Sequence, residues 1–126
     1  MSDEPGALHV VSAAEMPETH LGSAGSQRVL LGGPHDDGSP LLMGLTHIQP
    51  ARTSRLIRHD SAEIGFIHTG TGWMVTDSDE RPVGPGDAVL IPAGCWHAIR
   101  AGAAALQMIY VFPGPQAPDT DAHDQE

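Results

Sequence analysis

The chain has 126 residues, which is enough for one domain with one core and too short for a second independent core. It carries 16 Asp and Glu against six Lys and Arg, a net charge of −10 that disfavours a nucleic-acid partner, because phosphate binding needs a basic surface. No stretch resembles a transmembrane helix, so we expect no membrane partner. The single cysteine, Cys95, excludes an internal disulfide and fits a reducing compartment, and we expect a cytoplasmic protein.

The first forty residues predict little regular structure. Residues 8–11 predict an edge strand, and residues 12–16 predict at most one helical turn. Residues 28–31 form a short strand candidate, and residues 35–40 are dense in turn formers and predict a hairpin loop. We therefore assign residues 1–40 to an N-terminal arm with edge strands.

From residue 41 the chain consists of short apolar runs separated by Gly and Pro turns. Strands are predicted at 41–49, 52–58, 64–68, 73–76, 88–92, 96–100 and 105–112. No segment has the periodicity of an amphipathic helix, and the chain contains 15 Gly and 11 Pro. This pattern favours an all-β sandwich or barrel over residues 41–112. Residues 113–126 are acidic and rich in Pro, a composition typical of a flexible tail.

Two short motifs lie within the predicted barrel. In the first, His59 is followed after three residues by Glu63 and after six more by Gly70. In the second, Gly86 is followed after five residues by a Pro-Ala-Gly turn, and then after two residues by His97. The pair resembles the two linked motifs of the cupin superfamily, and two motifs at the right separation are far more specific than either alone.

The resemblance implies a double-stranded β-helix, the jelly-roll barrel of cupins, and assembly as a homodimer. It places His59, Glu63 and His97 in one metal site inside the barrel. Two imidazoles and one carboxylate suit a non-haem Fe(II), with Zn, Mn or Ni as alternatives. One customary ligand is missing, because Ile57 stands where the family's first motif has its first His.

Strand periodicity independently predicts which of these side chains face inward. Alternate residues of a strand share a face, so Glu63 and Ile67 are expected on the side opposite His68. Gly94 is expected to supply the bend that turns His97 to the interior.

Three further residues are candidates for the same site. His47, on the preceding strand, is the best candidate by type for a fourth ligand, although an ordinary strand histidine is the alternative. Cys95 could supply a thiolate or could be a small buried hydrophobe. Tyr110 is a candidate catalytic residue if its strand turns it into the barrel, a facing that the sequence leaves open.

The function favoured by these residues is that of a metal-dependent enzyme acting on a small metabolite. The ligand set favours non-haem iron dioxygenase chemistry. One alternative is a metal-free or Lewis-acid isomerase, cyclase or dehydratase in which His59 or His97 transfers protons and Tyr110 assists. A second alternative is a non-catalytic module that binds a small ligand. Fold alone does not choose between them.

Overall fold

A computed structural model of the chain describes residues 6–123. Within that range there are two short 3-10 helices, Ala13–Glu15 and Gly33–His35. The strands are β1 (Thr19–His20), β2 (Gly25–Leu31), β3 (Leu42–Ile48), β4 (Ile57–His59), β5 (Glu63–Thr69), β6 (Gly72–Thr76), β7 (Glu80–Val83), β8 (Ala88–Ile91), β9 (His97–Ala101), β10 (Leu106–Phe112) and β11 (Thr120–Ala122). No helix in the described range is long and apolar enough to cross a membrane.

The strands form two antiparallel sheets. One has six strands in the order β1-β2-β3-β10-β5-β8, and the other has five in the order β11-β4-β9-β6-β7. Non-consecutive neighbours such as β3 and β10 mean that the chain crosses repeatedly between the sheets, as in a jelly roll. The predicted all-β jelly-roll fold is confirmed.

The core lies between the sheets and fills one end of the barrel. Ile48, Ile67, Leu106 and Met108 are its largest fully buried side chains, and each contributes about 1.5–3 kcal/mol through loss of apolar surface. The register brings Leu106 opposite Ile48 at this end, and Phe112 opposite Leu42 at the other. The second end is hollow and holds the candidate site.

The N-terminal region differs from its prediction in two places. Residues 8–11, expected as an edge strand, pair with no described strand; residues 8–10 are exposed and Val11 is partly buried. The strand expected at 28–31 begins at Gly25 and lies inside the six-stranded sheet, between β1 and β3. Gly25 permits this pairing, since a Cβ there would overlap the main-chain carbonyl of His47 on β3.

The segment after residue 113 is also more ordered than its composition suggests. Residues 120–122 form β11, which pairs with β4 along its whole length. On the exposed side Arg58 Nε lies 3.1 Å from Asp121 Oδ2. Composition predicted a flexible tail because composition carries no information on strand pairing, and β11 is ordered by pairing with the free edge of β4. The last three residues of the predicted tail lie outside the described range.

Candidate metal centre

His59 ends β4 and faces the barrel interior. Alternation along this strand turns Ile57 and His59 inward, where both line a cavity, and leaves Arg58 exposed. Ile57 pairs directly with His97 on β9. The two candidate histidines therefore lie on adjacent strands of the five-stranded sheet.

Glu63 begins β5 in the opposite sheet. Its side chain is buried, with only 5% of the residue exposed. The following residues alternate as predicted, since Ile67 is buried and His68 is exposed. The predicted inward facing of Glu63 is confirmed.

His97 begins β9 directly after a tight turn. Gly94 has φ of 80°, a left-handed conformation that favours glycine, so the predicted bend is confirmed. Within the turn the Cys95 amide donates to the Pro92 carbonyl at 3.2 Å, and the Gly94 amide donates to the His59 carbonyl at 2.8 Å. The turn that presents His97 is thus attached to the residue that carries the other imidazole.

The three side chains converge on one point. Glu63 Oε1 lies 3.2 Å from His59 Nε2 and 3.5 Å from His97 Nε2. Their candidate ligand atoms all lie within 4.8 Å of one another. The two imidazole centroids are 5.1 Å apart, with the rings inclined at 55°.

Hydrogen bonds on the far side of each ring assign its proton. His97 Nδ1 lies 2.9 Å from the Cys95 carbonyl oxygen, which can only accept, so Nδ1 carries the proton. His59 Nδ1 lies 2.7 Å from Thr120 Oγ1, and that hydroxyl donates to the Pro118 carbonyl at 3.2 Å. The hydroxyl therefore accepts from His59. In the neutral form, both rings direct an Nε2 lone pair at Glu63.

Three electron-rich atoms consequently face one another in a buried site. Glu63 Oε1 is buried and has no partner with hydrogen-bond geometry among the described residues, despite its short distances to the two imidazoles. Burial alone would raise the pKa of the Glu63 carboxyl, but hydrogen bonds and positive charge from His59 and His97, which require a proton on Nε2, outweigh burial and lower this pKa. The arrangement calls for a shared cation or a shared proton.

A cavity of about 600 Å³ opens beside these three residues. Its walls are mainly apolar and include Val29, Leu42, Ile57, Ile99, Met108 and Phe112. Arg55 is exposed at the lining, and its Nε donates to the His123 carbonyl at 2.8 Å. The cavity therefore combines an apolar body with a few polar groups, as small-molecule sites do.

Tyr110 is one of those polar groups, because β10 turns it into the cavity. Its hydroxyl donates to Gln27 Oε1 at 3.3 Å. Tyr110 pairs in register with Gly44 on β3 and with Gly65 on β5. A Cβ at Gly44 would overlap the phenol ring. Burial, with a smaller contribution from the charge of Glu63, raises the pKa of Tyr110 to about 12. The phenol is therefore a neutral hydrogen-bond donor at physiological pH.

Comparison with known families identifies the family to which the chain belongs. A sequence model of the family described as "Cupin domain" matches residues 44–112, more than half of the chain. The chain belongs to the cupin family. The resemblance inferred from the two motifs is thus confirmed, while no curated protein matches this cupin significantly.

Several solved structures share the cupin fold of the chain at low sequence identity. The polyketide cyclase RemF from Streptomyces resistomycificus superposes with a TM-score of 0.78 at 17% identity, covering 95% of this chain and 88% of that chain. A variant of oxalate decarboxylase from Bacillus subtilis gives 0.77 at 19% identity over 95% of this chain, which spans only 34% of it. An uncharacterized conserved protein from Klebsiella pneumoniae gives 0.73 at 13% identity, covering 94% of this chain and 100% of that chain. These identities establish the fold alone.

His47, the candidate fourth ligand, does not join the cluster. On β3 the inward positions are Leu42, Gly44, Thr46 and Ile48, so His47 points to the outer face. Its Nδ1 lies 3.3 Å from Gln107 Nε2 on β10. The sequence left the facing of His47 open, because both faces of this strand are largely apolar and its alternation did not reveal the inner one.

Cys95 contributes its backbone instead of its sulfur. The thiol is half-buried, packs against the core and lies 3.7 Å from the Trp96 carbonyl oxygen. The Cys95 carbonyl oxygen, by contrast, accepts the hydrogen bond that fixes the His97 ring. Cys95 therefore orients one member of the cluster without joining it.

Two residues in the site were missed by sequence reasoning. Thr120 lies in the segment assumed to be a flexible tail, and no local pattern connects it with His59, 61 residues away. Gln27 lies just before the predicted strand at 28–31. Extending that strand to Gly25 would have placed Gln27 and Val29 on one face, and both line the cavity.

Proposed function

We propose that this cupin is a metal-dependent enzyme acting on a small metabolite, with His59, Glu63 and His97 as the metal ligands. Its main support is the convergence of three lone-pair atoms in a buried site, where the Glu63 oxygen has no hydrogen-bond partner among residues 6–123. Two atoms bound to one ion at about 2.1 Å lie roughly 3.0–3.5 Å apart. The Glu63 distances of 3.2 Å and 3.5 Å fit that spacing.

The chemistry of the donor atoms narrows the choice of metal ion. Two imidazoles and one carboxylate favour Fe(II), with Zn, Mn and Ni as alternatives, and leave positions open for substrate. Such an ion, when bound, supplies Lewis acidity and, in the case of iron, redox chemistry toward oxygen, so dioxygenase chemistry is the first expectation. Thr120 and the Cys95 carbonyl hold both imidazoles with Nε2 free to bind.

The cavity suggests the kind of substrate. A volume of about 600 Å³ is suited to a molecule much larger than a two-carbon acid. Apolar walls favour a substrate with a hydrophobic body, and Arg55 at the lining favours an acidic group near the opening. Within the cavity the neutral Tyr110 phenol can turn its single O–H from Gln27 Oε1 to a substrate oxygen.

Metal analysis of protein purified without chelator tests the proposal. We expect one divalent ion per chain, and we expect chelator-stripped protein to rebind Fe(II) under anaerobic conditions with that stoichiometry. His97→Ala should lose binding, because one of three ligands is removed. His68→Ala and His47→Ala are matched controls, since both rings lie outside the barrel, and they should bind as the native protein does.

Two results would contradict the proposal. Full binding by His97→Ala would remove the ligand assignment. A native protein that binds none of Fe(II), Zn(II), Mn(II) and Ni(II) would remove the metal itself and leave the second candidate below.

The second candidate is a metal-free enzyme of the isomerase, cyclase or dehydratase type. The placement of Tyr110 in the same cavity as His59 and His97 favours it. In this case an Nε2 atom accepts a proton from carbon and the Tyr110 hydroxyl stabilises the enolate oxygen that forms. The likeness to a polyketide cyclase makes cyclisation of an enolisable substrate the first reaction to examine.

Hydrogen–deuterium exchange distinguishes this candidate from the first. Chelator-treated protein is incubated in D₂O with 2-tetralone, an enolisable aromatic ketone, and exchange is followed by NMR. The second candidate predicts exchange that persists after chelation and disappears in His59→Ala, His97→Ala double-variant protein. Exchange that returns only when metal is added would contradict it.

Two broader expectations from the sequence also stand as proposals. The single Cys95 supports a cytoplasmic location. We also propose a homodimer as the functional assembly.

A further inference from the structure

Besides the strands of the barrel, three segments line the cavity, and they differ in how firmly each is held. The segments lie within residues 21–24, 53–55 and 117–122. Ala24 fixes the first, because its side chain is buried in the core. Ser54 fixes the second through two hydrogen bonds with Ile99: its amide donates to the Ile99 carbonyl at 2.9 Å, and its Oγ accepts from the Ile99 amide at 2.9 Å.

The third segment belongs to residues 113–123, here termed the strap. The strap leaves the barrel directly after the buried Phe112, at the end of β10. None of its residues is buried, and all three residues of β11 are exposed. Burial of apolar side chains supplies most of the stability of a folded segment, so the strap lacks the main source of it.

Hydrogen bonds at the surface hold the strap in place. The Gly33 amide donates to the Pro115 carbonyl at 2.6 Å, and the Asp60 amide donates to the Asp119 carbonyl at 3.0 Å. In return, the Asp119 amide donates to Asp60 Oδ1 at 3.1 Å. Water competes for such exposed groups, so each of these bonds contributes little net stability. Contacts of this kind favour local opening while the barrel stays folded.

The groups behind the strap are shielded from solvent. Glu63, His97 and Ile99 line the cavity, and they are only 5%, 6% and 5% exposed. A molecule that fills a cavity of about 600 Å³ needs an entrance to reach them. The strap is the least firmly held of the three segments that could provide it.

We propose that the strap is a lid, which opens to admit the substrate and closes over it. Closure also completes the site, because it brings Thr120 Oγ1 to the position where it accepts from His59 Nδ1 at 2.7 Å. Opening withdraws that hydroxyl, so the strap fixes the His59 ring only while the cavity is shut. Lids of this kind exclude water during the reaction. The proposal rests on use of the cavity by a substrate, which both candidate enzymes share, and it is independent of metal.

Amide hydrogen exchange of the native, metal-free protein tests local opening. The Asp60, Asp119 and His123 amides take part in the hydrogen bonds between the strap and the barrel. Their protection factors should be similar to one another and at least a hundredfold smaller than that of Ile67, a core residue whose amide donates to the Asp87 carbonyl. Protection equal to that of Ile67 would mean that the strap opens only when the barrel unfolds, and would overturn the proposal.

A thiol placed inside the cavity tests access. In a Cys95→Ser background, Ile99→Cys puts a single thiol behind the strap, and its reaction with the neutral disulfide 4,4′-dithiodipyridine is followed by absorbance. We expect reaction at least tenfold slower than that of free cysteine. Reaction as fast as that of free cysteine would show that the cavity is open while the strap is closed, and would overturn the proposal.

Two substitutions at Asp60 connect access with the strap. Asp60→Ala removes the oxygen that accepts from the Asp119 amide, and it should speed both thiol reaction and strap exchange by about two- to tenfold. Asp60→Asn is the matched control, because its carboxamide oxygen can still accept, and it should react no faster than the parent protein. A thiol rate that Asp60→Ala leaves unchanged, while the strap amides exchange faster, would show that entry does not pass the strap.

These measurements are separate from those of the metal proposal. They use protein without metal or substrate, and Asp60 is none of the proposed metal ligands. A protein that binds no metal but shows the expected exchange and thiol rates would retain the lid. A protein that binds metal while its strap exchanges only with the core would lose the lid and keep the metal site.

Discussion

Replacing Thr120 with valine is expected to weaken metal binding about tenfold while the protein remains folded. Valine keeps the shape of threonine but removes the Oγ1 atom that accepts from His59 Nδ1 at 2.7 Å. The backbone pairing of Thr120 with His59 in β11 and β4 is unaffected, because it does not involve the side chain. The variant therefore tests orientation of the imidazole alone.

The magnitude follows from the exposure of the contact. A hydrogen bond of this kind contributes about 0.5–1.5 kcal/mol, and loss of a partner behind a metal-bound histidine weakens affinity by about 10–100-fold. The His59 side chain is 10% exposed and Thr120 is exposed, so water can partly replace the lost hydroxyl. The lower end of the range is expected for this reason.

The assay is competition for Zn(II) between chelator-stripped protein and a chromogenic chelator. Thr120→Ser is the matched control, because it keeps the hydroxyl and loses only the methyl group, and it should bind close to native affinity. Native affinity in the valine variant would refute the positioning role. Equal weakening by serine and valine would refute it too, since the methyl group would then be responsible.

Three other predictions concern the cavity wall. Tyr110 is the only tyrosine, so an absorbance titration should give a midpoint near 12 in folded protein and near 10 in denaturant. As the pH rises between those two midpoints, the folded state keeps a proton that the unfolded state has lost. The free energy of unfolding should therefore fall by about 3 kcal/mol more in the native protein than in Tyr110→Phe. An equal pH dependence of stability in the two proteins would contradict the shift. Ile57→His adds an inward imidazole beside His97 and should tighten Zn(II) binding about tenfold. The control Ile57→Leu should bind Zn(II) as the native protein does. Unchanged Zn(II) affinity in Ile57→His would argue against the interpretation that a ligand is missing at this position. Gly44→Ala places a Cβ where the Tyr110 ring lies and should lower the free energy of unfolding in urea by about 1–3 kcal/mol. In a Tyr110→Ala background the same substitution should cost little. Costs of the two substitutions that simply add would contradict direct contact between the residues.

The sequence predicted the parts of the site that local spacing determines. Glu63 and His68 differ by an odd number of positions on one strand, so period-two alternation was enough to place them on opposite faces. Gly94 predicted the bend before His97, because few other residues adopt its left-handed conformation.

Facing was not predictable where both faces of a strand are apolar. On β10 Tyr110 shares the inward face with Met108, yet Ile109 and Val111 on the outward face are equally hydrophobic. The same ambiguity on β3 left the facing of His47 open. Alternation identifies the core face only when the other face is polar, and here the outer face is apolar as well.

Contacts that span the chain were beyond sequence reasoning for a different reason. Thr120 reaches His59 only because β11 closes on the free edge of β4, and that pairing depends on backbone groups that every residue possesses. The composition of residues 113–126 carries no signal of it.

The turn at residues 92–96 has a consequence for how the site meets an ion. Its Gly94 amide is bonded to the His59 carbonyl and its Cys95 carbonyl to the His97 ring, so one backbone loop links the main chain of His59 to the imidazole of His97. Neither ring can rotate away without losing a hydrogen bond. Both donors are therefore preorganised before an ion binds, the His97 ring by a main-chain carbonyl and the His59 ring by the Thr120 hydroxyl. Ions of unsuitable size would be rejected without any rearrangement of the barrel.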